Sequence, residues 1–202
     1  MLLTMHPLNP QPRLLNQAAE SLRNGGVIIY PTDTIYGLGC DIFHPKSVER
    51  ICKIKNIDPP KAQLSFICRN LSSLSVYTKS IDTPLYRMLK THLPGPYTFI
   101  LPASRQVPKI LKSKKNTVGL RIPDNVICMS ILESLGNPIL SASLPGEMVE
   151  EYTNPEIINE KFGALVEYVI DGGMGGVVPS TVVDCTMDEW KVTRQGLGEW
   201  VA

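Results

Sequence analysis

The sequence lacks most of the devices by which a chain declares its chemistry. No Gly-x-x-x-x-Gly-Lys-Ser/Thr segment occurs, so a phosphate-binding loop of that type is excluded. The five cysteines, Cys40, Cys52, Cys68, Cys128 and Cys185, contain no Cys-x-x-Cys pair. Their odd number and wide spacing argue against both a disulfide framework and a zinc ribbon. His6, His44 and His92 have no metal-ligand spacing and no partner for an acid–base relay. No apolar run approaches the ~20 residues that span a bilayer. The opening segment MLLTMHPLNPQPR has no basic lead-in and is not read as a signal peptide. A formal net charge of +1 gives no bulk attraction to nucleic acid or to a membrane surface. These absences leave a soluble, cytoplasmic protein with no membrane partner, no structural metal and cysteines that serve as core residues.

What is present is an ordinary globular mix. The chain has 202 residues, 43% hydrophobic and 19% charged, enough for one domain with a sizeable core. Residues 1–13 carry Pro7, Pro10 and Pro12 and are read as an N-terminal arm, and residues 14–202 as the domain. Helical spacing is found over 14–23, from Pro45 to about residue 55, and over 125–135 and 155–162. Short β-branched or aromatic runs predict strands at 27–30, 64–68, 97–101, 117–122, 139–141, 166–171, 182–185 and 191–194. Ser72 is read as the cap of a short helix, 107–111 as helical, and 56–63, with Asp58-Pro59-Pro60, as a loop. Strands and helices intermingle throughout, which predicts a single α/β domain with helices flanking a twisted central sheet. Several connections are too short for a helical crossover, so the sheet is expected to mix parallel and antiparallel strands.

Residues 25–41, GGVIIYPTDTIYGLGCD, organise the rest. A glycine pair leads into a buried strand that Pro31 ends. Thr32, Asp33, Thr34 and Tyr36 follow at once, then Gly37 and Gly39. Polar side chains at a strand end, followed by permissive glycines, are where open α/β sheets place ligands. The competing reading is a hydroxyl-rich turn that satisfies its own backbone. Other hydroxyls and cations recur at predicted element ends: Lys55, Arg121, Ser141, Ser143, Ser180, Thr181 and Arg194. Together they fit a pocket for an anionic ligand, and without a general base such a site works by positioning and charge stabilisation. Lys109, Lys112, Lys114 and Lys115 form a separate basic run.

Six segments then carry a resemblance: YPTDTIYGLGCD (30–41), LPGPYTFIL (93–101), VGLRIPDN (118–125), PILSAS (138–143), DGG (171–173) and PSTVVD (179–184), with Arg194 after them. In that order they resemble the YrdC-like domain of threonylcarbamoyl-AMP synthases, over about residues 14–198. The short length and the segment FICRNLSSLS are most similar to the YciO branch. The resemblance implies a YrdC-like fold with a large concave cavity. It implies that threonine, bicarbonate and ATP, with Mg2+ accompanying the nucleotide, give threonylcarbamoyl-adenylate and pyrophosphate for the modification of tRNA adenosine 37. It also implies a non-catalytic alternative, the binding of double-stranded RNA or tRNA, to which the lysine run would contribute. Carried over by position, Lys55 and Ser143 are the catalytic candidates. Thr32, Thr34, Tyr36, Arg121, Ser180 and Thr181 fall to threonine and bicarbonate, and Lys55, Ser141, Ser143 and Arg194 to the nucleotide. Two positions depart from the pattern. Ile57 stands where the Lys-x-Arg motif has its arginine, and Pro145 where Ser-x-Asn has its asparagine. Loss of those donors predicts weak or altered synthase activity.

Overall fold

A computed structural model of the chain describes residues 1–58, 64–108, 111 and 116–200. Strand β1 (Leu2–Thr4) leads into helix α1 (Pro12–Arg23) and then a hairpin of β2 (Ile28–Tyr30) and β3 (Gly37–Asp41). Helix α2 (Pro45–Ile54), strand β4 (Ser65–Ile67), helices α3 (Leu71–Ser75) and α4 (Thr83–His92), and strands β5 (Tyr97–Pro102) and β6 (Thr117–Arg121) follow. The chain continues through α5 (Val126–Leu135), β7 (Ile139–Ser143), α6 (Glu150–Thr153), α7 (Pro155–Phe162), β8 (Tyr168–Asp171), β9 (Thr181–Asp184) and β10 (Lys191–Arg194).

Local chemistry explains the helix ends. Prolines occupy the first turn of α1, α2, α4 and α7, where their missing N–H costs nothing. Asp82, Asn125 and Asn154 cap α4, α5 and α7 with side-chain oxygens. Gly136, at φ 84°, takes the left-handed conformation that closes α5. The cap of α3 is Asn70, not Ser72. Asn70 accepts from the Ser73 N–H at 2.8 Å, while the Ser73 hydroxyl accepts from the Asn70 N–H at 3.1 Å. That reciprocal pair satisfies two otherwise orphaned donors, and Ser72 lies inside the helix it was expected to open.

The described strands form one open sheet in the order β1-β8-β2-β3-β7-β4-β6-β5-β9-β10. The pairs β1–β8, β2–β8, β4–β6 and β5–β9 are parallel; the others are antiparallel. The mixed sheet expected from the short connections is therefore observed. The N-terminal segment contributes β1 to this sheet, with Leu3 and Met5 buried.

Register decides what each face carries, because paired residues share a face and successive ones alternate. One face presents Ile29, Leu38, Phe66, Phe99, Leu120, Leu140 and Val183 to the main core, with α2, α4 and α7 packed on it. The other face divides in two. At the β8–β2–β7–β4 end, Ile28, Tyr30, Ile67, Ile139 and Ile170 lie under α1 and α5. Further along, the same face carries Ser141, Ser65, Gly119 and Ile100 in adjacent register positions, and beside Ile100 the row Thr98, Val182 and Arg194. None of these belongs to the second core, and Ser65, Gly119, Thr98, Val182 and Arg194 are partly or fully exposed. The sheet thus leaves a small-residue, hydroxyl-bearing half-face open beside its apolar half.

Gly37 and Gly39 belong to β3, and neither has a positive φ. They were expected as permissive turn residues; they are strand residues chosen for space. A Cβ on Gly39 would stand 2.7 Å from the Tyr30 ring and 2.6 Å from Ile139. The bare backbone is what lets the Tyr30 ring lie across β3.

Candidate functional site

The turn between β2 and β3 is built by its own hydroxyls. Thr32 Oγ1 donates to the Ile35 carbonyl at 2.7 Å and accepts from the Thr34 N–H at 3.1 Å. The two threonine hydroxyls lie 3.1 Å apart. To that extent the turn satisfies its own backbone. It also does more, because Arg121 reaches it from the end of β6. Arg121 Nη2 donates to Thr34 Oγ1 at 2.7 Å and to Asp33 Oδ1. Thr34 is 1% exposed and Arg121 7%. The Asp33 and Arg121 side chains are each 9% exposed, so the ion pair is removed from bulk water.

Asp33 is the site residue that sequence reading passed over, although it stands between two threonines already singled out. The cation that was read as a fork for an anion carries its own counter-charge. The pair is also incomplete: Asp33 Oδ2 and Arg121 Nε are buried without a hydrogen-bond partner. An unsatisfied buried polar atom costs about 1–3 kcal/mol.

The remaining predicted residues fall into three groups. Tyr36 is fully buried and its hydroxyl donates to the Gly173 carbonyl at 2.7 Å and accepts from the Gly172 N–H at 3.2 Å. Burial pushes this phenol up to about 12. The segment 172–176, with glycines at 172, 173, 175 and 176, is a glycine-rich loop that also bonds to the turn directly, Gly176 N–H to the Thr34 carbonyl at 2.8 Å. Tyr36 therefore braces the turn against that loop.

Along the β3–β7 pair that leaves the turn, Tyr30 donates to Ser141 Oγ at 2.7 Å, which ties Ser141 to the apolar half of the sheet. Ser143 is exposed, and Lys55, at the C-terminus of α2, donates from Nζ to its carbonyl. Desolvation lowers the Lys55 pKa below the ordinary lysine range. Ile57 and Pro145 are both partly buried.

On β9 and β10, Arg194 holds the Ser180 carbonyl with Nε at 3.1 Å and Nη2 at 2.8 Å. Ser180 Oγ meets Thr98 Oγ1 at 2.9 Å. Burial first, and the charge of Arg121 second, lower the Arg194 pKa, so the two arginines share an electrostatic environment. Thr181 is fully buried: its hydroxyl donates to the Gly198 carbonyl at 2.6 Å and accepts from the Gly196 N–H at 3.0 Å. It anchors the C-terminal segment.

The structure thus joins Thr32, Thr34 and Arg121 directly, Lys55 to Ser143, and Arg194 to Ser180. Tyr36 and Thr181 hold the backbone behind these groups. A separate cleft at the start of α5, lined by Arg69, Pro94, Asn125, Met129 and Glu133, contains none of them. Lys109, Lys112, Lys114 and Lys115 lie outside the described residues, as do Pro59 and Pro60 of the expected loop. Among the described residues no group of three or more His, Cys, Asp or Glu side chains is placed to hold a metal, and no helix is long and apolar enough to cross a membrane.

An open mixed sheet, a hydroxyl turn clasping a buried arginine and a glycine loop sealing that turn define a class of protein. The Sua5/YciO/YrdC family model, described as telomere recombination, matches residues 20–196, and the chain belongs to this family. Its similarity to YciO of Escherichia coli K12 is 44% identity over 198 residues, 96% of this chain and 95% of that protein. The crystal structure of E. coli YciO superposes with a TM-score of 0.91, at 43% identity, over 98% of this chain and 97% of that one. A threonylcarbamoyl-AMP synthase of Pyrococcus abyssi is 32% identical over 174 residues, 86% of this chain but 50% of the synthase. The crystal structure of P. abyssi Sua5 complexed with L-threonine superposes with a TM-score of 0.87 at 28% identity, over 97% of this chain and 57% of that one. This chain therefore spans about half of the longer synthase.

Proposed function

We propose that the chain is a threonylcarbamoyl-AMP synthase-like enzyme that binds an amino acid at the Thr34–Arg121 turn and a nucleotide along Lys55, Ser141, Ser143 and Arg194. The observation that carries this reading is the clasp of Arg121 by Thr34 and Asp33 on the same sheet face as the open hydroxyl strip. In the reaction, the threonine amine and bicarbonate give a carbamate and water. A carbamate oxygen attacks the α-phosphorus of ATP, forming the mixed anhydride as the bond to pyrophosphate breaks. Magnesium enters as part of the nucleotide substrate. The chain's own contribution is positioning and cationic stabilisation of the phosphate oxygens by Lys55 and Arg194. Ile57 and Pro145 remove two donors from that end, so the rate is expected to be low.

Incubation with threonine, bicarbonate, ATP and magnesium, followed by mass spectrometry, tests the reading. Threonylcarbamoyl-adenylate should form, and Lys55→Ala should abolish it. Because desolvation lowers the Lys55 pKa, its ammonium is lost as pH rises at a lower pH than for a free lysine. Product formation should therefore fall on the alkaline side before the ordinary lysine range, and Lys55→Arg should remove that fall. Absence of adduct under all conditions would refute the synthase reading.

A further inference from the structure

We infer that Tyr30 is a positioning residue of this site: its phenol makes the Ser141 hydroxyl a fixed donor for an acceptor atom of the bound ligand. The inference rests on the nucleotide reading of Ser141 above and goes beyond it, since Tyr30 is fully buried and acts only through Ser141.

Two observations carry it. The first is where the hydrogens lie. Tyr30 is 0% exposed, and its phenol meets Ser141 Oγ at 2.7 Å. Were Ser141 the donor, the Tyr30 hydrogen would be buried with no acceptor, the costlier arrangement. Burial also pushes the phenol well above the ordinary tyrosine range, so its proton stays in place. Ser141 Oγ therefore accepts. A serine hydroxyl has one hydrogen and two lone pairs, so the Ser141 hydrogen is turned away from Tyr30. Among the described residues no atom accepts it.

The second observation is the route the chain clears for this one bond. Tyr30 ends β2 and Ser141 lies on β7, with β3 between them. A Cβ on Gly37 would stand 3.1 Å from Ser141 Oγ and 3.2 Å from Tyr30 Cζ, and one on Gly39 would meet the same ring at 2.7 Å. Two glycines in one strand thus let the phenol cross to the serine. Apolar packing alone is met by a phenylalanine ring; the hydroxyl is what the serine uses. Ser141 stands at the seam of the face, paired with Gly39 on one side and with Ser65 on the other, beyond which lies Gly119. Ser65 and Gly119 are partly exposed, and Ser141 is 7% exposed. A donor held there suits a phosphate or carboxylate oxygen, and its rotation is fixed before the ligand arrives.

Calorimetry on the whole protein tests this with ATP and L-threonine, in the unmodified chain, Tyr30→Phe, Ser141→Ala and the double variant. Tyr30→Phe keeps the ring over Gly37 and Gly39 and removes only the hydroxyl. ATP affinity should fall about fivefold in Tyr30→Phe and about tenfold in Ser141→Ala, and the double variant should match Ser141→Ala. A double variant weaker than Ser141→Ala by the full effect of Tyr30→Phe would overturn the inference, because a phenol that merely braces the fold acts independently of the serine. Unchanged affinity for both ligands in Tyr30→Phe would overturn it whatever Ser141→Ala does. If ATP weakens in Ser141→Ala alone, the nucleotide reading stands and the inference falls. If threonine rather than ATP shows the expected pattern, the inference holds and the nucleotide reading of Ser141 falls. If the unmodified protein binds neither ligand, both fall.

Discussion

Replacing Arg121 with alanine is expected to remove about 3–5 kcal/mol of folding stability, the usual cost of breaking one partner out of a buried ion pair. The cause is what remains behind. Asp33, with its side chain 9% exposed, would hold a carboxylate with no counter-charge, and Thr34 Oγ1 would lose the donor it now receives at 2.7 Å. Urea unfolding followed by far-UV circular dichroism measures this directly. Removing both charges, in Arg121→Met with Asp33→Leu, should recover most of the loss, because a buried pair can be exchanged for apolar residues at little cost. The double variant should nevertheless bind no amino acid. A change below about 0.5 kcal/mol in the single variant would place it among ordinary surface substitutions and contradict the buried pair.

The second large effect is a gain. Ile57→Arg combined with Pro145→Asn should raise the rate of adenylate formation by roughly two to three orders of magnitude, the equivalent of about 2–4 kcal/mol of transition-state stabilisation. Ile57 lies two residues beyond Lys55, with its N–H bonded to the Cys52 carbonyl at 3.0 Å. Pro145 follows Leu144, whose N–H bonds to the Tyr36 carbonyl at 3.3 Å. Both positions therefore flank the contact between Lys55 and Ser143, where the nucleotide phosphates are proposed to sit. An arginine there supplies a planar fork of donors, and an asparagine supplies both a side-chain donor and the backbone N–H that proline lacks. Single-turnover rates for the unmodified and doubly substituted proteins decide the matter. An unchanged rate would mean that these two residues do not limit the chemistry.

Much of the fold was legible because its signals are local. Prolines in first turns, Gly136 after α5 and the short β-branched runs each act within a few residues, and the structure places elements where those signals stood. Where the expectations failed, the cause was geometry that residue types alone do not carry. Gly37 and Gly39 looked like turn glycines because nothing nearby in sequence shows that the Tyr30 ring must lie over them. Ser72 looked like a cap because the reciprocal bonding of Asn70 and Ser73 depends on backbone geometry, which composition does not reveal.

The site divides in the same way. Residue types and spacing were enough to name Thr32, Thr34, Lys55, Arg121, Ser141, Ser143, Ser180 and Arg194, because strand ends followed by hydroxyls and glycines are written along the chain. Their pairing was not. Arg121 lies 87 residues from Thr34 and is joined to it only when β6 takes its place in the sheet beside β4. The sequence by itself determined the family, the elements and the inventory of cations and hydroxyls. The tertiary structure alone decided that Asp33 neutralises Arg121, that Tyr36 and Thr181 brace the backbone, and that two buried polar atoms stay open. The physical reason is that hydrogen bonding and charge compensation depend on distance and burial, and both arise only when segments remote in sequence pack together.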